Sequence, residues 1–530
     1  MYNLKEVACN SPQSANTNVS TKDKGTCINS SGDTNSVRKT ISVETECVDT
    51  PQHLPDGHSQ QNILRTDTKP VIASQVIASL VMALVEGGSG IVMAFSGITL
   101  LQLTDQQTND LFLNQSQAAL FGSLVHLGGA LGSCVSGPLL VKLGRRLTLL
   151  VTLPITLASW LTLALSPTVW LLLTSRAILG ITIGIMFTAT FLYTIEIAHK
   201  NIRGILSGIL TLTRQLGFIL VSALGVSKLD WRQMSFVSGG MTTFPLFCLL
   251  FLPNSPRWLV THGRLSEAHK SLVFFRGKHC NCEPELLDIT QQISNVSREV
   301  DNSWQQVRLL FEPSTGRVFF LLTFLTILHT MNGFFAISTY LVPIFKAVEA
   351  SLDPYTSAII FNFAKAFGTL VYLCLVDRLG RKPLILVSYS LCSLCMVIYG
   401  IYFYMHNTHE TGDASSMGWI PIAAAMIFNF FTGVGQPALS IFNGELLPTS
   451  CRAIGNSVLM FTLMFGAFIT SYTYPLVVEA LGIHGTFWLF SCVNVAVTLV
   501  SAVGLPETRG RSLEEITGNN MNNQDQTTKF

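Results

Sequence analysis

Charge is what this sequence of 530 residues lacks: only 12% are Asp, Glu, Lys or Arg, against about 25% in an ordinary soluble domain. With 48% hydrophobic residues, there is too little polar surface to cover a water-soluble body, so lipid is the expected solvent. The 12 cysteines have neither framework nor ligand-set spacing, and the Cys280/Cys282 pair stands in a charged loop read as cytosolic, where thiols stay reduced. No disulfide scaffold and no metal site is therefore expected. No phosphate loop, nucleophile triad or metal cluster appears, so no enzyme and no cofactor is expected. The formal net charge is +2 with no basic stripe, which gives nucleic acid nothing to bind. No basic start followed by an apolar core opens the chain, so no cleaved signal peptide is expected. Residues 1–70 are rich in Ser, Thr and Asn and nearly free of aromatics; they read as a disordered cytosolic tail, and 518–530 look similar.

From Val71 onward, apolar runs of membrane length recur, each needing about 20 residues to cross roughly 30 Å of hydrocarbon. Twelve are expected: 72–98, 117–141, 147–166, 169–194, 204–226, 233–252, 317–341, 355–376, 383–405, 417–441, 456–479 and 484–505. A charged connection, cytosolic over 256–316, divides them six and six. Basic residues decide orientation. One set of loops carries Lys142, Arg145, Arg146, Lys200, Arg203, Arg378, Arg381, Lys382 and Arg452, and the other only Lys228, Arg232 and Lys346. Both termini are accordingly expected in the cytosol, the last tail being 506–530. On the outer side one sequon, Asn114-Gln115-Ser116, is a glycan acceptor candidate.

The chain also repeats itself. "LPNSPRWLVTHGRLSEA" begins at Leu252 and "LPETRGRSLEEI" at Leu505, each closing the sixth span of its half and bringing Arg257 and Arg509 to matching places. "LGRR" at 143–146 returns as "DRLGRK" at 377–382, and Glu196 and Arg203, seven apart, return as Glu445 and Arg452. An even number of spans per half keeps the copies parallel, so two bundles are expected, 71–255 and 317–505, with a route between them. Arg145, Arg146, Glu196, Arg203, Arg257, Asp377, Arg378, Arg381, Glu445, Arg452 and Arg509 are the candidates for inner-face ion pairs that hold one access state closed.

These motifs, with "GPLLVKLGRR", Arg176 followed by Gly180, "GELLPTSCR" and "HGTFWLF", resemble the sugar-porter branch of the major facilitator superfamily over about 71–516. "GWIP" and "HGTFWLF" are most similar to insect facilitated trehalose and glucose transporter-like proteins. The resemblance implies an all-α membrane fold of twelve helices in two pseudo-symmetric bundles with a cytosolic helical linker. It also implies facilitative sugar transport in the cell membrane by what would be a monomeric carrier. The sugar contacts it implies are only partly present. Gln215 stands where the family has its fifth-span Gln, but the seventh-span amides are replaced around His329, Thr330 and Asn332. Lys365 stands for an eighth-span Asn, Ser440 (with Gln436 one turn before it) for a tenth-span Trp, and Leu463 for an eleventh-span Asn.

Ionisable residues inside the membrane are functional candidates by default. Glu86, Arg176, Arg214 and Lys365 fall inside expected spans, and Glu86 is expected to neutralise Arg214 or Lys365, leaving the other cation facing the cavity. Family members that couple sugar to protons carry an Asp in the first span near the Arg of the fourth. Arg176 is present here, but Ser96 stands at the Asp position, so uniport is the expectation. His126 is expected in helix packing. Three functions remain open: a sugar carrier, a carrier of an anionic or other polar solute, and a non-transporting sensor on a carrier scaffold.

Overall fold

The computed structural model describes residues 72–105, 111–199, 202–227, 229–277, 281–299, 303–348, 352–408, 419–447 and 451–507. The expected tail at 1–70, residues 508–530 of the tail expected at 506–530, Lys200, Lys228, Arg509, and the side chains of Asp377 and Glu445 lie outside the described residues.

The first bundle is built from α1 (Ala73–Leu103), α2 (Gln115–Ala164), α3 (Val169–Ile197), α4 (Arg203–Val226), α5 (Trp231–Thr243) and α6 (Pro245–Leu249). Four short helices connect it onward: α7 (Pro256–Thr261), α8 (Leu265–Arg276), α9 (Glu283–Glu299) and α10 (Ser303–Leu310). The second bundle holds α11 (Pro313–Thr330), α12 (Phe334–Thr339), α13 (Leu341–Ala347), α14 (Pro354–Leu379), α15 (Arg381–Thr408), α16 (Trp419–Glu445) and α17 (Arg452–Gly504).

Two of these are too long for one crossing. At 50 and 53 residues, α2 and α17 would run about 75–80 Å if straight. Each instead reverses at one glycine: Gly144 (φ 79°, ψ 168°) in α2 and Gly482 (φ 72°, ψ 168°) in α17. That backbone region is open essentially to glycine alone, so the expected loops near 142–146 and 480–483 shrink to single residues. Gly380 makes the same turn (φ 89°) between α14 and α15. Counting α2 and α17 twice, α5–α6 once and α11–α13 once gives twelve crossings.

Two spans expected to be continuous are broken. Pro245 separates α5 from α6, because its ring removes a donor and crowds the preceding turn. In the seventh span the helix stops at Thr330, Gly333 takes φ 99°, and the Asn332 side chain accepts from Phe334 N at 2.9 Å to start α12.

Close helix crossings are made at small residues, of which "GGSG" at 87–90, "GGALG" at 128–132 and "GITIG" at 180–184 form stripes. A Cβ on Gly128 would strike the Ala177 carbonyl, one on Gly180 the Val125 carbonyl, and one on Gly90 the Arg214 carbonyl. Backbones in such contact gain dispersion energy in a solvent that supplies no hydrophobic drive. Large apolar side chains such as Phe251 (83% exposed) and Trp170 (77%) point outward, as a lipid-facing surface requires.

The cores show how the bundles meet. At the end away from the linker, one apolar cluster contains residues of both: Ile91, Phe95 and Ile98 from α1 with Phe335, Leu341 and Phe345 from α12 and α13. Toward the linker end the two bundles have separate clusters, that of the first around Leu149, Tyr193 and Leu249 with Phe275 of α8 added, that of the second around Phe319, Tyr389 and Phe442 with Leu310 of α10 added. The far end is thus sealed by a shared core, while the linker end is split.

Candidate functional site

Between the bundles lies a cavity of about 600 Å³, its mouth included, bounded by α1, α3, α4, α12, α14, α16 and α17. Its polar lining comes mainly from Ser89, Arg214, Gln215, Lys365, Gln436 and Ser440, with Phe187, Phe218, Phe334 and Phe335 supplying ring surface. Amide, hydroxyl and aromatic groups in one chamber can match hydroxyls along one edge of a solute and its apolar face on another.

Of the residues expected to contact substrate, Gln215, Lys365, Gln436 and Ser440 are in the lining, whereas His329, Thr330 and Asn332 are not. His329 Nδ1 lies 2.7 Å from the Tyr389 hydroxyl inside the second bundle. Thr330 donates to the Ile327 carbonyl at 2.7 Å. Asn332 is engaged in starting α12 and its own carbonyl accepts from Asn494 at 3.1 Å. The break in the seventh span turns these three away from the chamber and brings Phe334 and Phe335 into it. His126 packs edge-on against Phe335, with ring centroids 5.4 Å apart.

The charges divide unequally. Glu86 is buried, accepts from Thr190 Oγ1 at 2.5 Å and meets Arg214 Nη1 at 3.7 Å. Arg214 also lies 5.0 Å from the centre of the Phe187 ring. Lys365, only 2% exposed, has its Nζ 3.1 Å from the Phe334 centroid and 5.9 Å from that of Phe218, and no carboxylate pairs with it among the described residues. A desolvated cation–π contact is worth about 2 kcal/mol, against at least ~2.5–3.5 kcal/mol for a charge at bilayer centre. The ring therefore offsets only part of the cost. Gln215 is similarly incomplete: its Oε1 is buried and accepts no hydrogen bond from the described residues.

Arg176 stands apart, toward the sealed end. It is fully buried, donates to the Val92 carbonyl at 3.1 Å and to Ser96 Oγ, and lies over the rings of Phe95 and Phe121. No carboxylate contacts it among the described residues.

At the linker end, Arg145 donates to Glu196 at 2.6 Å, and Glu196 also accepts from Ser255 Oγ, the cap of α7. Trp258 donates to the Val141 carbonyl at 3.0 Å and lays its ring against Gly144. Arg146 donates to Leu250 O at 2.7 Å, and Arg257 to Gln292 at 3.1 Å. In the second half, the Glu507 carboxylate accepts the backbone N–H groups of Arg381 and Lys382, both at 3.2 Å. Arg378 is exposed, Arg203 makes no ion pair among the described residues, and Arg452 donates to the Leu447 carbonyl at 3.0–3.1 Å. The pairing partner of Glu196 is thus Arg145 rather than Arg203, because the glycine turn swings Arg145 onto the end of α3. Sequence reasoning missed Asn362, one turn before Lys365, which donates across the bundle interface to Ser222 at 2.9 Å. Its only sequence signal was an amide inside an apolar span.

Comparison with known proteins follows the same lines. The family model described as "Sugar (and other) transporter" matches residues 75–519. The facilitated trehalose transporter Tret1 of Polypedilum vanderplanki is 29% identical over 480 residues, covering 88% of this chain and 94% of that protein. The Tret1-2 homolog of Drosophila sechellia is 31% identical, covering 87% and 94%. Against Tret1 of Aedes aegypti, at 30% identity, the match spans 57% of the relative. Among solved structures, the xylose transporter XylE of E. coli in a partially occluded inward open conformation superposes with a TM-score of 0.70 at 19% identity, covering 83% of this chain and all of that one. At that identity the likeness speaks to the fold, twelve helices of the major facilitator type.

Proposed function

The chain belongs to the sugar transporter family, and from that premise we propose that it moves a sugar passively across the cell membrane by alternating access. One observation carries the mechanism: the chamber is closed at one end by a core common to both bundles and lies between two separate cores at the other. Opening the far end requires only that the shared core part and the two linker-side cores come together, while the lateral contacts act as the pivot. The basic-residue asymmetry supports a cytosolic linker and cytosolic termini, so this is the inward-facing state.

Trehalose and hexoses are the neutral candidates suggested by the relatives' names, and the Gln215 amide beside aromatic surface suits a polyol. Uniport is supported at Arg176, whose contacts on α1 are the Val92 carbonyl, Ser96 and the Phe95 ring rather than an acid. Among the described residues no carboxylate contacts that cation, so the acid that a proton-coupled mechanism would titrate beside it is not in place.

Uptake of labelled trehalose and glucose into oocytes, with the substrate gradient held constant, tests this reading. Uptake well above that of uninjected cells and unchanged by a protonophore is expected. Collapse with the protonophore would replace uniport by proton coupling, and Glu86 would then be the carboxylate to examine.

A further inference from the structure

Lys365 is the group in the chamber that the carrier reading leaves unused. It is 2% exposed, lines the cavity, rests on the face of Phe334, and has no anion beside it among the described residues. A structural lysine of this kind normally finds a carboxylate or a ring of carbonyls, whereas the buried carboxylate of α1, Glu86, meets Arg214 at 3.7 Å and accepts from Thr190. Counted in their ordinary ionised forms, these three groups sum to one positive charge. Gln215 adds a second open valence, a buried Oε1 with no donor among the described residues.

Taking the carrier reading as given, we infer that the solute is a sugar bearing a single negative charge, whose carboxylate docks on Lys365 while a hydroxyl donates to Gln215 Oε1. The ammonium donates to the carboxylate oxygens and the solute replaces the missing counter-ion. A neutral sugar leaves that charge uncompensated. A phosphate ester, carrying about −1.5 to −2 at neutral pH, exceeds the one unpaired cation. Phe334 and Phe218, flanking Nζ at 3.1 and 5.9 Å, exclude water from the contact and offer apolar surface to the pyranose ring. Because transport is uncoupled in this reading, each turnover moves one negative charge, so net flux registers as a current.

The test uses full-length protein in proteoliposomes with labelled D-glucuronate and D-glucose as probes and glucose 6-phosphate as competitor. Glucuronate uptake at least tenfold above glucose is expected, with a matching current. Lys365→Asn is expected to lower glucuronate uptake tenfold or more while raising glucose uptake, and Lys365→Arg to keep a substantial part of the glucuronate flux. Glucose uptake with no transport or competition by glucuronate would overturn the anion assignment and leave the carrier standing. Stronger competition by glucose 6-phosphate, or a Lys365→Asn variant with an unaltered substrate profile, would overturn it too. If nothing is transported, thermal stability of the purified protein separates the two claims. A glucuronate-dependent rise in melting temperature in the native protein but not in Lys365→Asn supports the site and sinks the carrier reading; no rise overturns the site.

Discussion

Arg145 and Glu196 face each other at 2.6 Å from helices of the same bundle, and Ser255 of the linker donates to the same carboxylate. The pair therefore braces one bundle and docks the linker on it, rather than clasping the two bundles together. Its side chains are 17% and 11% exposed, so removing one partner leaves a largely desolvated charge, at a cost of up to ~3 kcal/mol. Glu196→Gln is expected to lower the melting temperature of the purified protein by several degrees. Arg145→Lys, which keeps the charge but loses the guanidinium fork, is expected to fall between it and the native chain.

Gly144 is held by two constraints at once. Its positive φ strains any side chain by about 1–3 kcal/mol, and a Cβ there would sit 2.9 Å from the Trp258 ring. Gly144→Val is expected to reduce the folded yield sharply, while Gly204→Ala, whose Cβ would meet nothing within 4 Å, should leave it unchanged. Fluorescence-detected size exclusion compares the two directly.

The Asn362–Ser222 bond at 2.9 Å joins the bundles. A neutral buried bond of this kind contributes about 1 kcal/mol, near fivefold in a conformational equilibrium. Asn362→Leu with Ser222→Ala is expected to restore the close packing that Asn362→Leu alone disturbs. A double-mutant cycle on substrate affinity measures the coupling, and additive effects would show that the bond does not distinguish access states.

Ser440 lies in the chamber lining and is itself exposed, whereas Ser338 at the sealed end is 8% exposed. In a background lacking reactive cysteines, Ser440→Cys is expected to react with a membrane-impermeant thiol reagent from the linker side, and Ser338→Cys only slowly from either side. Reaction of Ser338→Cys at full rate from the far side would show that the resting state is not the one described.

Asn114 is exposed and caps α2: its Oδ1 accepts from Gln117 N at 2.9 Å, and Gln117 reciprocates at 3.1 Å. A glycan on the amide nitrogen leaves that oxygen free to cap. A glycosidase-sensitive mobility shift, lost in Asn114→Gln, is expected if the far end is extracellular. Absence of the shift in glycosylating cells would remove that support for the orientation.

Composition, spacing and repetition, with the family resemblance they carried, pointed to the architecture, because lipid admits only helices and closed barrels, whose backbone bonds are internal, and twelve apolar runs of about 20 residues in two matched sets suit helices. Lys365 was legible as a chamber residue because a charge in an apolar span must face protein or water, and Gln215 through the resemblance to sugar porters. Sequence did not reveal the break after Thr330, which turns His329 toward Tyr389 and gives its place to Phe334. Nor did it show that Glu86 takes Arg214 and leaves Lys365 open, or that Arg145 and not Arg203 meets Glu196. Those outcomes depend on helix rotation and on single-glycine turns, where shifting one residue moves a side chain by about 100° around its helix. A linear pattern fixes which groups must be sheltered from lipid; only the packed helices decide which of them meet.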